Sequence, residues 1–94
     1  MEEKKIPIEM EAAIAGGVYS NLTIISHSDN EFIFDFILAH PPKGKVNARV
    51  ILSPSHAKRL MTALQNNVAL FEKKFGPIKA ATEPPQIGIQ FSNN

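Results

Sequence analysis

The stretch Ser53–Leu60, SPSHAKRL, sets two hydroxyls (Ser53, Ser55), an imidazole (His56) and two cations (Lys58, Arg59) close together. These residue types can hold a phosphate or a carboxylate, through hydroxyl donors and charge-assisted hydrogen bonds. Ser53 followed by Pro54 reads as a helix N-cap and the preferred first helical residue. The free amides and positive dipole end of such a helix favour an anion. His56 stands where a capping box would place Glu or Gln, so the box is absent. Lys58 and Arg59 fall near the positive end, where cations are mildly unfavourable. Two readings follow: an anion or acidic partner bound here, with Lys43 and Lys45 as further cations, or long side chains extending into water. The second is preferred, because the dipole effect is only about 0.3–1 kcal/mol.

Other chemistry finds less support. His27, His40 and His56 are widely separated and lack metal-ligand spacing. With no cysteine, neither a thiolate site nor a disulfide framework is available. No phosphate-binding or dinucleotide-binding glycine pattern occurs, and no elbow motif frames a serine. The expectation is a protein that is not an enzyme, with no catalytic residue, metal, cofactor or small-molecule substrate.

The elements that position these residues can be read from hydropathy patterning. Val18–His27, residues 31–39 and residues 45–53 each alternate with period two, as half-buried strands do. A three-residue loop Ser28–Asp29–Asn30, with Asn30 left-handed, would pair His27 with Glu31, Leu22 with Phe36 and Ile24 with Phe34. A two-residue loop would instead set Ile24 against Asp35 and mix the faces, so the register favours the three-residue loop. His40–Gly44, HPPKG, reads as a five-residue connection pairing Leu38 with Val46 and Phe34 with Val50. Phe32, Phe34 and Phe36 then share one face. The other face opposes Asp35 to Arg49, a structural ion pair in preference to a catalytic one. It also carries Tyr19, Ile25, Ile33, Ile37 and Ile51, with a predicted row Ile25–Ile33–Ile51 that a monomer would not leave bare.

After Leu52 the period changes. Ala57, Met61, Leu64, Val68, Phe71 and Phe75 form one helical stripe, and Gly76–Pro77 is a stop signal. The spacing predicts a helix over residues 54–75, with core packing on the phenylalanine face as the first duty of its stripe. The flank from Leu60 to Leu70 suggests contact with a second copy. Ile6, Ile8 and Met10 alternate too and predict a short N-terminal strand, followed by a turn at Gly16–Gly17. The expected fold is α+β: an antiparallel sheet of three to four strands with one long C-terminal helix packed on one face. Residues 1–79 form the single domain, and residues 80–94 a tail, flexible or forming an edge strand through Gln86–Phe91.

The 94-residue chain is 44% hydrophobic and 20% charged, an ordinary globular composition near the size at which one core suffices. Chains this small gain stability by pairing. The N-terminus lacks a signal peptide's apolar run, and no stretch reaches membrane-spanning length, so a cytoplasmic protein with no membrane partner is expected. The net charge of +1 hides an asymmetry. No acidic residue lies between Asp35 and Glu72, whereas Glu2, Glu3, Glu9 and Glu11 crowd the N-terminus.

The segments GGVYSNLTIISHSDNEFIFDF and NARVILSPSHAKRLMTALQNNVALFEKKFGPI, in that order, resemble a small bacterial family catalogued as a domain of unknown function. The resemblance covers roughly residues 6–78, including the SP-x-HAKRL helix start and the FG-x-I ending. It supplies no activity, cofactor or catalytic residue. Through the placement of some members' genes near that of a large RNA polymerase subunit, it implies an association with transcription. The strand–helix order is also similar to that of dimeric single-strand-binding folds and some export chaperones, a likeness of fold alone.

Two functions are weighed. The first is a homodimeric protein–protein interaction domain with another protein as partner, using Tyr19, Ile25, Ile33, Ile37, Ile51, Leu60 and Leu70. The alternative is a transcription-associated nucleic-acid-binding protein using Lys43, Lys45, Arg49, Lys58 and Arg59. Single-strand binders stack bases on exposed aromatics. Here the phenylalanine pattern commits nearly all of them to the core, leaving Tyr19 and Phe91, which places protein interaction first.

Overall fold

The structure, a computed structural model, describes residues 4–79. A short helix α1 (Ala12–Ala15) precedes strands β1 (Leu22–His27), β2 (Phe32–His40) and β3 (Lys43–Leu52), and helix α2 (Pro54–Phe75) follows. The strands form one antiparallel sheet in the order β1-β2-β3. This α+β layout, three strands and then one long C-terminal helix, is the expected one. The chain divides into two compact units at Lys58–Arg59, so α2 begins in the first and continues through the second.

The β2–β3 register follows the alternation where bulky residues enforce it: Phe32 lies opposite Leu52, Phe34 opposite Val50, Asp35 opposite Arg49 and Phe36 opposite Ala48. Beyond Phe36 the register shifts, and Ile37 pairs with Val46 and Leu38 with Lys45. The expected Leu38–Val46 pair is therefore corrected. Asn47 is the extra residue of a β-bulge, and the turn shrinks to Pro41–Pro42, whose connecting peptide is cis. Both prolines sit where no ladder donor is needed.

The β1–β2 register differs by one residue from the expected one. His27 pairs with Phe32, Ile25 with Phe34, Ile24 with Asp35 and Leu22 with Ile37. Ser28 causes this. Its hydroxyl accepts the Asn30 and Glu31 amides at 3.2 Å each, and its own amide donates to the Glu31 carbonyl at 2.9 Å. Glu31 is thereby drawn into a four-residue loop, and among the described residues only glycines take a positive φ, so Asn30 is not left-handed. A one-residue change of register moves every β1 side chain to the opposite face. Ile25 now lies beside Phe34 and Val50, whereas Leu22 and Ile24 join Asp35 and Ile37.

The N-terminal strand is absent. Residues 5–10 form neither strand nor helix and pair with no edge among the described residues. Gly17 supplies the expected turn, with φ +74°. The tail from residue 80, with its expected edge strand, lies outside the described residues. No helix among those residues is long and apolar enough to cross a membrane.

Candidate interaction surface

In the first unit, the segment leading into β1 is tied down by side chains. Asn21 extends the ladder: its Oδ1 accepts the Ala39 amide at 2.8 Å and its Nδ2 donates to the Ala39 carbonyl at 2.9 Å. The Ser20 hydroxyl lies 3.0 Å from the Leu22 carbonyl and 3.1 Å from that of Ile37, and Asn47 Nδ2 donates to the Tyr19 carbonyl at 3.1 Å. Residues 19–21 thus bridge β1, β2 and the bulge of β3. Sequence reading marked Tyr19 alone here. The signal for the others was the Asn and Ser cluster beside a strand, residue types that bind neighbouring main chain.

The Asp35–Arg49 pair crosses the same sheet face. Arg49 Nε donates to Asp35 Oδ1 at 2.6 Å and Nη2 to Oδ2 at 2.9 Å, a bidentate clamp. Asp35 is only 3% exposed, while the Arg49 side chain remains mostly open to solvent. The hydrogen bond from Arg49 holds the Asp35 carboxyl below its usual range, against the opposing effect of desolvation. The clamp neutralises a buried carboxylate and spans β2 and β3 at a paired position of their register.

The predicted isoleucine row is broken by the register. Ile33 opposes Ile51, but their β1 neighbour is Ser26, and Ile25 belongs to the phenylalanine face. Ile37 is buried, Ile33 half-buried, and Tyr19, Ile25 and Ile51 are exposed. These five residues do not form one patch.

The basic residues are likewise dispersed. Lys43 and Lys45 start β3, whereas Ser53, Ser55 and His56 follow its far end, roughly 30 Å away at about 3.3 Å per residue. At the helix start, Ser53 caps as expected: its Oγ accepts the His56 amide at 3.2 Å and its carbonyl accepts the Ala57 amide at 2.9 Å. Ser55 Oγ lies 3.4 Å from Ser53 Oγ. The His56 amide, which an anion would take, is in use. Lys58 and Arg59 follow on α2, exposed. Among the described residues no three His, Cys, Asp or Glu side chains converge as metal ligands would.

The α2 stripe is continuous and open. Met61, Leu64, Val68, Phe71 and Phe75 are exposed, Leu64 to 61% and Phe75 to 67%, as are the flanking Leu60 and Leu70. Phe71 and Phe75 lie 4.9 Å apart, ring centre to ring centre, with Lys74 Nζ 5.3 Å from the Phe75 ring. No residue of α2 is buried. Gly76 ends the helix with φ +95°, its amide bonded to the Glu72 carbonyl at 2.8 Å, and Glu72 Oε2 accepts the Ile78 amide at 2.9 Å.

No curated protein and no solved structure matches the chain. A family model does, over residues 1–80, and it contains the Tyr19–Asn21 bridge, the Asp35–Arg49 clamp and the whole open helix. The chain belongs to the family described as "Protein of unknown function (DUF3467)".

Proposed function

We propose that this chain is a non-enzymatic, homodimeric protein-interaction module whose two copies pair along α2. One observation carries the reading: among the apolar side chains of the described residues only Ile37 and Leu52 are buried, while the α2 stripe lies open along its length. A chain near the lower size limit for a self-sufficient core needs more burial than that. The intervals of three and four residues from Met61 to Phe75 form a seam that a second such helix can fill. Leu60 and Leu70 widen it.

Light scattering at micromolar concentration tests this. The expected mass is about twice 10.3 kDa. A monomer mass for the unaltered chain would overturn the reading. Leu64→Glu/Phe71→Glu should weaken association at least 100-fold, given roughly 1.5–3 kcal/mol for each buried side chain and 1.4 kcal/mol per tenfold change.

Nucleic-acid binding ranks second. The acid-free interval between Asp35 and Glu72 favours it, but Lys43 and Lys45 stand at the opposite end of β3 from the helix start, so no single basic track follows. Phosphate contacts would make oligonucleotide binding fall steeply with salt. No binding to a fluorescent single strand at low salt is the expected result.

A further inference from the structure

The N-terminal arm offers a more specific contact than the helix. Lys5–Glu11, KIPIEME, alternates strictly, with Ile6, Ile8 and Met10 on one side and Lys5, Pro7, Glu9 and Glu11 on the other. These three apolar side chains are 80%, 92% and 69% exposed. Among the described residues no main-chain hydrogen bond holds residues 5–10. Glu11, at the end of the segment, has the φ and ψ of an extended chain (−70°, 144°). The segment has the alternation of a strand but pairs with no sheet edge among the described residues.

Among the described residues the sheet, in turn, has an edge without a strand: β3 pairs there on one side only and spans ten residues. A long bare edge is a template for another chain. On β3, Ala48, Val50 and Leu52 share the phenylalanine face, while Arg49 and Ile51 share the other. An added strand with Ile6, Ile8 and Met10 beside Ala48 and Val50 sets Glu9 or Glu11 next to the open flank of Arg49. The other bare edge, β1, is shorter and, apart from His27, carries only uncharged side chains, so it offers the two glutamates no comparable partner.

Pro7 supports a single-sided role. If the amides of Ile6, Ile8 and Met10 point towards β3, the ring of Pro7 faces outward, where no donor is required and no further strand can pair. In the single chain the arm lies open, and α1 and the Gly17 turn intervene between it and Tyr19, which is anchored to Asn47.

We propose that residues 5–11 of one copy add as a fourth strand to the β3 edge of a second copy, with Glu9 or Glu11 meeting Arg49 across the interface. The proposal rests on the homodimer reading above and names a second contact within that dimer.

The chain has no cysteine, so Lys4→Cys gives one site for a nitroxide label outside the proposed strand. A spin-labelled copy without isotopes is unfolded, mixed with a nitrogen-15-labelled unaltered copy and refolded, and amide intensities and mass are then measured. Expected are a dimer mass and a several-fold loss of intensity in the Val46–Leu52 amides of the isotope-labelled copy. Ile8→Asp in the spin-labelled copy should restore those intensities. A dimer mass without broadening, or with broadening confined to Leu22–His27, overturns the strand donation and leaves the helix-paired dimer standing. A monomer mass overturns both. Broadening of β3 only when spin label and isotope share one chain shows the arm closing on its own sheet, which also overturns the proposal.

Discussion

Asp35 and Arg49 form an ion pair whose loss the structure makes costly, because the carboxylate is buried and its partner is not. Arg49 keeps the folded-state pKa of Asp35 below the unfolded value of about 3.9. As pH falls past that value, the unfolded chain takes up a proton that the folded chain still refuses, so stability drops. Above it, both states are ionised and the contribution is complete. Urea midpoints measured from pH 6 downward should therefore decline for the unaltered chain, and decline less steeply for Asp35→Asn. Arg49→Met should be the worst single change, since it strands a buried charge. Asp35→Asn/Arg49→Met should recover part of that loss. A double variant no more stable than Arg49→Met would show that packing, and not the unpaired carboxylate, sets the cost.

Element ends were legible in the sequence where a single residue type decides the geometry. Ser53–Pro54 and Gly76–Pro77 bracket α2 as predicted, because a cap hydroxyl and a left-handed glycine act locally. Both are testable by denaturant midpoints. Ser53→Ala should cost about 1 kcal/mol by removing the acceptor of the His56 amide. Gly76→Ala should cost about 1–2 kcal/mol at φ +95°. An added Cβ there meets nothing within 4 Å, so that penalty is conformational and not a clash. Strand register was legible only between Phe32 and Phe36, where bulky partners on β3 fix it. It failed at β1 because Ser28 closes its own loop, and beyond Phe36 because Asn47 bulges. Neither event leaves a trace in a period-two pattern, which is blind to one inserted residue. The isoleucine patch rested on that lost register and was lost with it. The α2 stripe survived, since helical spacing needs no partner to define a face. The N-terminal alternation was visible too, but alternation alone cannot say which edge, or whose, will accept a strand.

At the scale of the whole molecule, the question is whether the open stripe and the open arm belong to a folded state that exists only as a pair. If folding and association are coupled, thermal stability must depend on protein concentration, because mass action favours the state with fewer particles. A tenfold rise in concentration adds about 1.4 kcal/mol per dimer. Against a dimer unfolding enthalpy built from about 0.7 kcal/mol per residue, this raises Tm by roughly 3–6 °C. The unaltered chain should show that shift at each tenfold step, from micromolar to hundreds of micromolar. Leu64→Glu/Phe71→Glu should melt at a lower temperature that no longer moves with concentration, since its helix seam cannot close. Ile8→Asp should melt between the two and keep the slope, because it removes the donated strand and leaves the helix pairing. A Tm constant over a hundredfold range in the unaltered chain would mean that one copy, with only Ile37 and Leu52 buried among its described apolar side chains, is stable alone. The helix stripe would then have to serve a partner other than a second copy.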